Sequence, residues 1–316
     1  MNILLSIIIP CLNEEDHIEK LLNWVVTACP DESEILVIDG GSSDRTIELI
    51  NNKIAINKKI KLLHNNSKYV SHALNTGVQS ANGKYIARLD VHAIYPDNYF
   101  TECIKLLETT QADNVGGFLE YTGNNLVSHG IAATLSSPWG IGYRTISPIR
   151  FNHYTDTVFF GFWNKSAFTR FGLFDTDLIR DQDEEFNYRI IKSGGKIYKC
   201  ADIVILKFVR NNLILLFRQY LEYGFYKPLV IKKIGHIIKI RHIVPSAFVV
   251  YLLTLFFFSV NITLLIPVWL YLTISLYFAI NQNNPLSSKI ISFIAFPVIH
   301  IAYGSGFLAG IFRTLR

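Results

Sequence analysis

The sequence predicts an α/β fold, built on a mainly parallel β-sheet and followed by a helical transmembrane region. Two observations carry this prediction. Over the first 120 residues, short apolar runs alternate with helical patterns, which is typical of parallel strands covered by helices on both faces. Residues 243–288 then contain no charged side chain, and after Lys289 a second apolar run covers residues 290–312.

The individual elements follow from the hydrophobic periodicity. Helical spacing of apolar residues between the strands predicts the covering helices, and a further helix is expected at residues 181–193. Residues 121–157 are rich in Gly, Ser, Pro and aromatic side chains, and we expect them to be irregular. Residues 213–226 predict an amphipathic helix suited to a membrane interface. The strands are expected at residues 6–9, 35–38, 60–63 and 85–89.

Charge and cysteine content narrow the class of protein. The net charge is +5, and residues 189–242 hold twelve Lys or Arg against two acidic residues. A basic stretch that runs directly into an apolar tail is typical of the cytoplasmic border of a membrane, so we expect membrane lipid and no nucleic acid as its partner. The four cysteines show no metal-ligand or disulfide spacing, which fits a reducing compartment.

The apolar tail is long enough for about three membrane spans, because one helical span needs ~20 residues. We therefore predict an α/β domain at residues 1–205, an interfacial segment at 206–242 and transmembrane helices at 243–316. Spans at 243–260 and Ile262–Ile280 would form a hairpin, with a third span at the end of the chain. Alternatively, one segment is re-entrant, which would keep both ends inside. The basic residues Lys232, Lys233, Lys239 and Arg241 predict that the α/β domain lies on the cytoplasmic side.

Acidic side chains follow three of the predicted strands, within residues 10–15, 39–44 and 88–92. Ligands of parallel sheets bind beyond the carboxyl ends of the strands, where these carboxylates would repel one another. A divalent cation resolves this conflict, and Mg²⁺ or Mn²⁺ accepts carboxylates together with substrate phosphates. Asp90 and His92 are two residues apart and are the candidate metal ligands. The alternative is that both are ordinary turn and cap residues.

These segments resemble family 2 inverting glycosyltransferases of the GT-A fold, and most of all the succinoglycan-type exopolysaccharide glucosyltransferases. The resemblance covers nearly the whole chain and implies a GT-A nucleotide-sugar-binding domain. The order and spacing of the matching motifs, taken together, are more specific than any one motif. The matching segments are residues 9–15, 37–46, 88–93, 113–117, 156–158, 172–175, 182–189, 218–220 and 300–304.

The resemblance implies a role for each matching residue of the donor site. Asp39 would hold the uracil and ribose together with the turn that contains Pro10, Asn13 and Glu14. Asp90 would contact the ribose and the metal region. The family has Asp-x-Asp at this place, whereas this chain has Asp90-Val91-His92. Apart from the resemblance, Lys68 is a further candidate for a residue that borders the nucleotide.

The resemblance also implies that Asp183 is the general base, although Gln182 replaces the glutamate that usually precedes it. In a single displacement, this carboxylate would take the proton of the acceptor hydroxyl while the diphosphate leaves. From the residues alone, the acids at 181–185 would equally fit a solvated helix N-terminus. Arg218-Gln219-Tyr220 departs from the motif of processive polymer synthases and favours a non-processive enzyme.

We therefore expect a membrane-bound, metal-dependent, inverting and non-processive enzyme of surface polysaccharide synthesis. It would transfer a hexose from a UDP-sugar to a hydroxyl of a polyprenyl-diphosphate-linked oligosaccharide. The predicted location is a bacterial-type inner membrane, with several spans and a cytoplasmic catalytic domain. The alternatives are a polyprenyl-phosphate sugar transferase and a catalytically silent membrane scaffold.

Overall fold

The computed structural model describes residues 3–141, 150–235, 240–255 and 262–315. The chain forms two compact units, one of residues 1–119 and 149–206 and the other of residues 120–148 and 207–316. The described residues contain nine strands in one sheet: β1 (Leu5–Cys11), β2 (Ser33–Asp39), β3 (Ile60–His64), β4 (Tyr85–Arg88), β5 (Ala93–Ile94), β6 (Asn114–Thr122), β7 (His153–Thr155), β8 (Phe162–Asn164) and β9 (Ile197–Phe208).

The strand order is β3-β2-β1-β4-β8-β6-β9-β5, and β7 pairs with β9. The first four strands of this order are parallel to one another, whereas β8 runs antiparallel to β4 and β6. The four predicted strands and their parallel pairing are confirmed. Because β2, β1 and β4 are neighbours, the three acidic segments that follow them lie at one edge of the sheet.

Helices of the first unit cover both faces of this sheet, and side chains of β1 alternate between two cores. Ile7 and Ile9 belong to a core with residues of α1 and α4, whereas Ile8 belongs to a core with residues of α3 and α8. This alternation is the period of two that buried strands require. The helices of this unit are α1 (Ile18–Ala28), α2 (Thr46–Ile56), α3 (Val70–Ser80), α4 (Tyr99–Thr110), α7 (Ser166–Phe171) and α8 (Gln182–Lys192).

A buried carboxylate joins the strands at the amino end of the sheet, opposite the acidic segments. The Glu34 carboxylate accepts hydrogen bonds from Ser6 Oγ at 2.8 Å, Lys61 Nζ at 2.8 Å and the Asn82 amide at 2.6 Å. Burial alone would raise the pKa of Glu34, but these hydrogen bonds outweigh burial and lower the pKa below its ordinary value. The network therefore ties β1, β2 and β3 to the loop that leads into β4.

Glu34→Gln is expected to lower the free energy of unfolding by about 2 kcal/mol at pH 7, because it removes a buried charge from three hydrogen bonds. The folded-state pKa of Glu34 is depressed, so this contribution is complete above the ordinary value of 4.5 and is lost as the pH falls through the lower folded-state value. Thermal unfolding of both proteins in detergent, between pH 7 and pH 3, measures the difference. Glu32→Gln, at an exposed neighbouring position, should change little. A constant difference across this pH range would contradict the assignment.

The second unit contains the remaining helices, and two of them correct a sequence expectation. Residues 121–157 were expected to be irregular, but α5 (Leu126–Leu135) and α6 (Pro138–Ile141) lie within them. A capping box explains where α5 begins, since the Asn125 side chain accepts from the Ser128 amide and Ser128 Oγ accepts from the Asn125 amide. The small and polar residues of α5 resemble turn residues in sequence, although they serve close packing inside this unit.

The long helices α9 (Leu213–Ile234), α10 (Ile240–Thr254), α11 (Ile266–Ile280) and α12 (Leu286–Leu315) complete the second unit. Within the described residues, two helices are long and apolar enough to cross a membrane, Ile262–Ile280 and Leu286–Thr314. They match the second and third expected spans. The first expected span reaches into residues 256–260, which lie outside the described residues, as does Lys239. The number of spans and the boundaries at residues 205 and 242 stay predictions.

Candidate active site

The loop after β2 is organised by the carboxylate of Asp39, which is 1 % exposed. This carboxylate accepts hydrogen bonds from the amides of Gly41 at 2.8 Å and Ser42 at 3.1 Å, and from Ser42 Oγ at 2.5 Å. Gly41 has a φ of 88°, a conformation that favours glycine. Asp39 therefore holds a tight turn at the carboxyl edge of the sheet.

The turn after β1 interlocks with this loop. Asn13 has a φ of 55°, its amide donates to Ser42 Oγ at 2.8 Å, and its Oδ1 accepts from the Ser43 amide at 2.8 Å. One residue further on, the Glu14 amide donates to Thr46 Oγ1 at 2.7 Å. Pro10, paired with Ile38 in the ladder of β1 and β2, leads into this turn. The two segments form one preorganised rim, called the β1–β2 rim below.

Lys68 lies beside the same rim through its backbone. Its Cα is 3.5 Å from the point that a Cβ on Gly40 would occupy, and its φ is 63°. The preceding turn is tied to the rim because the Asn65 amide donates to the Asp39 carbonyl at 2.8 Å. The Lys68 side chain is exposed. Its position therefore agrees with the expectation that it borders a ligand of the rim, which stays a prediction.

The segment after β4 folds into a turn that aims His92 at Glu14. The Asp90 amide donates to Tyr95 Oη at 2.7 Å, and Asp90 Oδ1 accepts from the His92 amide at 2.9 Å. The His92 ring then lies 3.0 Å, from Nε2 to Oε1, from the Glu14 carboxylate. The structure thus brings together the ends of β1 and β4, in agreement with the expectation that the acidic segments meet at one edge of the sheet.

A cluster that could hold a metal ion consists of Glu14, His17 and His92, here called the Glu-His-His cluster. Its ligand atoms all lie within 4.8 Å of one another. Among the described residues, Asp90 is outside this cluster, although its carboxylate fixes the turn of His92. One carboxylate and two imidazoles are suitable ligands for a divalent cation. The assignment of Asp90 as a direct ligand stays a prediction, whereas His17 was missed.

His17 could have been found from its spacing, because it follows Glu14 by three residues at the start of α1. Its partner His92 is distant in sequence, so only the fold reveals the pair. Burial lowers the pKa of His17, and the nearby His92 lowers it further. The His17 imidazole is consequently neutral near pH 7, which is the form that binds metal ions.

Asp183 lies in the first turn of α8, where its Oδ1 accepts a hydrogen bond from the Glu184 amide at 3.0 Å. Its Oδ2 is 3.9 Å from Nη1 of Arg88, the last residue of β4. The Arg88 side chain is 11 % exposed, and this Nη1 has no hydrogen-bond partner among the described residues. The largely buried Arg88 guanidinium thus lies between the turn after β4 and Asp183. Sequence reasoning gave Arg88 no role, although an arginine at the end of a buried strand is an unusual residue there.

The helix α8 is anchored one turn beyond Asp183. Asn187 is 2 % exposed and accepts a hydrogen bond from Asn114 of β6 at 2.8 Å. Arg189 donates to the carbonyl of Leu173 at 2.8 Å. Because these buried bonds fix α8 to the sheet and to the preceding loop, they also fix the place of Asp183 at the carboxyl edge.

The comparisons with known proteins agree with this arrangement. The model of the family "Glycosyl transferase family 2" matches residues 6–174, which include the β1–β2 rim and the Glu-His-His cluster. Asp183 lies beyond the matched residues. A dolichyl N-acetyl-alpha-D-glucosaminyl phosphate 3-beta-D-2,3-diacetamido-2,3-dideoxy-beta-D-glucuronosyltransferase of Methanococcus voltae is 29% identical, over 98% of this chain and 97% of that protein.

Another relative is the succinoglycan biosynthesis protein ExoA of Rhizobium meliloti, which is 27% identical over 95% of this chain and 93% of that protein. Among solved structures, the mannosyltransferase PcManGT of Pyrobaculum calidifontis, in complex with GDP-Man and Mn²⁺, is similar with a TM-score of 0.65 at 16% identity. That similarity covers 98% of this chain and 87% of the mannosyltransferase, and it shows the shared GT-A-like fold.

Proposed function

This chain belongs to glycosyl transferase family 2, and from that membership we propose that it is an inverting, non-processive hexosyltransferase with a UDP-sugar donor and a lipid-linked glycan acceptor. The chain is a glycosyltransferase of glycan biosynthesis with a GT-A-like fold. The choice of donor, acceptor and metal is the proposal. The observation that carries it is the preorganised β1–β2 rim, which lies at the sheet edge where Glu14, Asp90 and His92 also meet.

In the proposed donor complex, the β1–β2 rim receives the nucleoside. Asp39 and the turn of Pro10, Asn13 and Glu14 hold the uracil and ribose, and Lys68 contributes a positive charge beside them. The rim is already fixed by its own hydrogen bonds. Binding therefore costs little ordering of the protein, which is the advantage of a preorganised site. Asp90 contacts the ribose from the neighbouring strand.

The proposed chemistry is a single displacement at the anomeric carbon. Asp183 accepts the proton of the attacking hydroxyl, so that the new glycosidic bond forms as the bond to the diphosphate breaks. Arg88 positions this carboxylate from 3.9 Å. A divalent ion, Mg²⁺ or Mn²⁺, held by His92 with Asp90 or with the cluster around it, would neutralise charge on the leaving diphosphate. Solved neighbours of this fold contain Mn²⁺, which supports a metal dependence.

We propose a lipid-linked acceptor for two reasons. Two helices of the second unit are suited to cross a membrane, which places a lipid-anchored substrate within reach of the chain. The relative from Methanococcus voltae is named for transfer to a dolichyl phosphate sugar, and ExoA for succinoglycan biosynthesis. Because nucleotide-sugars are cytoplasmic, the catalytic unit would face the cytoplasm of a cell whose inner membrane holds several spans of this chain.

The function is tested with full-length protein in detergent, UDP-sugars and GDP-mannose as donors, and polyprenyl-diphosphate-linked oligosaccharides as acceptors. Mg²⁺, Mn²⁺ and EDTA are compared, and nucleotide release is measured beside formation of the extended lipid. We expect metal-dependent transfer with one UDP-sugar, and Asp39→Ala is expected to weaken donor binding at least tenfold. Asp31→Asn is the control, since its side chain is fully exposed.

Other outcomes of this experiment separate the alternatives. Transfer from GDP-mannose alone would contradict the UDP assignment. Transfer to polyprenyl phosphate, with no extension of an oligosaccharide, would identify a lipid-phosphate sugar transferase. No nucleotide binding and no turnover with any donor would identify a silent scaffold.

A further inference from the structure

We infer that the Glu-His-His cluster of Glu14, His17 and His92 is a cation site that prefers first-row transition metals such as Mn²⁺ over Mg²⁺. This inference rests on the proposed function, since it concerns the cation of the proposed donor site. It differs from the Asp-x-His assignment in its ligands, because His17 and Glu14 replace Asp90 as the direct partners of His92.

The geometry brings three ligand atoms together from two separate segments. Glu14 Oε1 is 3.0 Å from His92 Nε2, and Glu14 Oε2 is 3.9 Å from His17 Nδ1. The two imidazole rings meet edge to face, with their centroids 4.8 Å apart. Atoms at such separations can contact one ion, because metal–ligand bonds are about 2.0–2.2 Å long. Only small side-chain movements are needed.

Within the described part of the chain, the His17 side chain is directed at the cluster and not at the start of α1. It occupies the N-cap of α1, yet its side chain makes no capping hydrogen bond there. A serine, threonine, aspartate or asparagine at this position would stabilise the helix better. The ring instead lies against His92 and the Glu14 carboxylate.

The ligand types set the preference for the metal. Mg²⁺ demands oxygen ligands in a near-ideal octahedron, whereas imidazole nitrogen suits Mn²⁺, Co²⁺ and Zn²⁺ increasingly well. One carboxylate and two neutral imidazoles leave a bound divalent ion with a net charge of about +1. That remaining charge is complementary to a diphosphate, which could occupy the coordination positions that the three side chains do not fill.

The test measures binding of Mn²⁺ alone to the full-length protein in detergent, without nucleotide. Free Mn²⁺ is followed by its electron paramagnetic resonance signal, and directly bound nitrogen by electron spin-echo modulation. We expect nitrogen modulation in the wild type and at least tenfold weaker displacement of Mn²⁺ by Mg²⁺ than by Zn²⁺. His17→Gln and His92→Gln are each expected to weaken Mn²⁺ binding about tenfold.

His129→Gln is the matched control, since His129 is an exposed histidine of α5. If His17→Gln binds Mn²⁺ as the wild type and this control do, or if no nitrogen modulation is seen, the inference is wrong. The Mn²⁺ binding and the nitrogen modulation are measured without the transferase assay, and sugar transfer is a separate readout. Sugar transfer that proceeds equally with Mg²⁺ in His17→Gln would overturn the cation site and leave the proposed function intact. Mn²⁺ bound by the cluster without any transfer would instead overturn the proposed function.

Discussion

Asp183→Asn is expected to lower the turnover number of sugar transfer by about 10²–10⁴-fold, the usual contribution of a positioned general base. Asparagine has the same shape and can still accept a hydrogen bond from the Glu184 amide through its side-chain oxygen. It cannot take a proton from the acceptor hydroxyl. Donor affinity should stay within about twofold of the wild type, because Asp183 lies on α8 and the nucleoside is proposed to bind at the β1–β2 rim. Initial rates at saturating donor and acceptor, together with equilibrium binding of the UDP-sugar, measure both quantities.

Arg88 supplies a second variant that distinguishes a base from a structural residue. Arg88→Lys keeps a cation near Asp183 and should retain more turnover than Arg88→Met, which removes the charge 3.9 Å from the carboxylate. Asp31→Asn controls for the loss of one acidic side chain. Turnover that survives Asp183→Asn unchanged would mean that no hydroxyl base is needed, which would favour a phosphate acceptor. If donor binding falls together with turnover, Asp183 instead maintains the site.

The sequence predicts well those parts of the fold in which the polarity of each residue matches its burial. Residues 7–9 and 35–38 are continuously apolar, because both faces of a parallel strand are buried, and the four strands were placed correctly. The acidic segments after these strands were expected at one edge of the sheet, and the adjacency of β2, β1 and β4 in the structure brings them together there. Asp39, Asn13 and Glu14 were therefore predictable as a group.

The features that were missed depend on partners that lie far away in sequence. His17 contacts His92, and Arg88 lies near the Asp183 carboxylate. Nothing in the local sequence pattern links either pair. The helix α5 was expected to be irregular because residues 121–157 are rich in Gly, Ser, Pro and aromatic side chains. In the second unit, the lack of a side chain at Gly130 instead allows Ile291 of α12 to pack closely against α5. Thr134 of α5 donates a hydrogen bond to Ser292 Oγ at 2.9 Å. Tertiary packing overrides propensity at these positions.

Gly306→Leu is expected to have the largest effect on stability, about 3 kcal/mol, because α9 and α12 touch through their backbones. A Cβ placed on Gly306 would overlap the carbonyl oxygen of Leu221, and one on Gly310 would overlap that of Phe225. The two glycines therefore allow the backbones of α9 and α12 to approach each other closely. Neither backbone can give way without separating the two helices. Thermal unfolding in detergent, together with the yield of monodisperse protein, measures the loss, which we expect to be roughly 6–12 °C.

Ala309→Leu is the matched control, since it introduces the same side chain into the same helix at an exposed position. In a bilayer or detergent an added leucine on that face meets apolar surroundings, so its cost should be small. A similar loss for both variants would show that α12 tolerates no bulk anywhere, and backbone contact with α9 would not be the cause. Equal stability of Gly306→Leu and wild type would instead mean that α9 and α12 separate in the folded protein. In that case the close packing of the two helices would not be what stabilises the second unit.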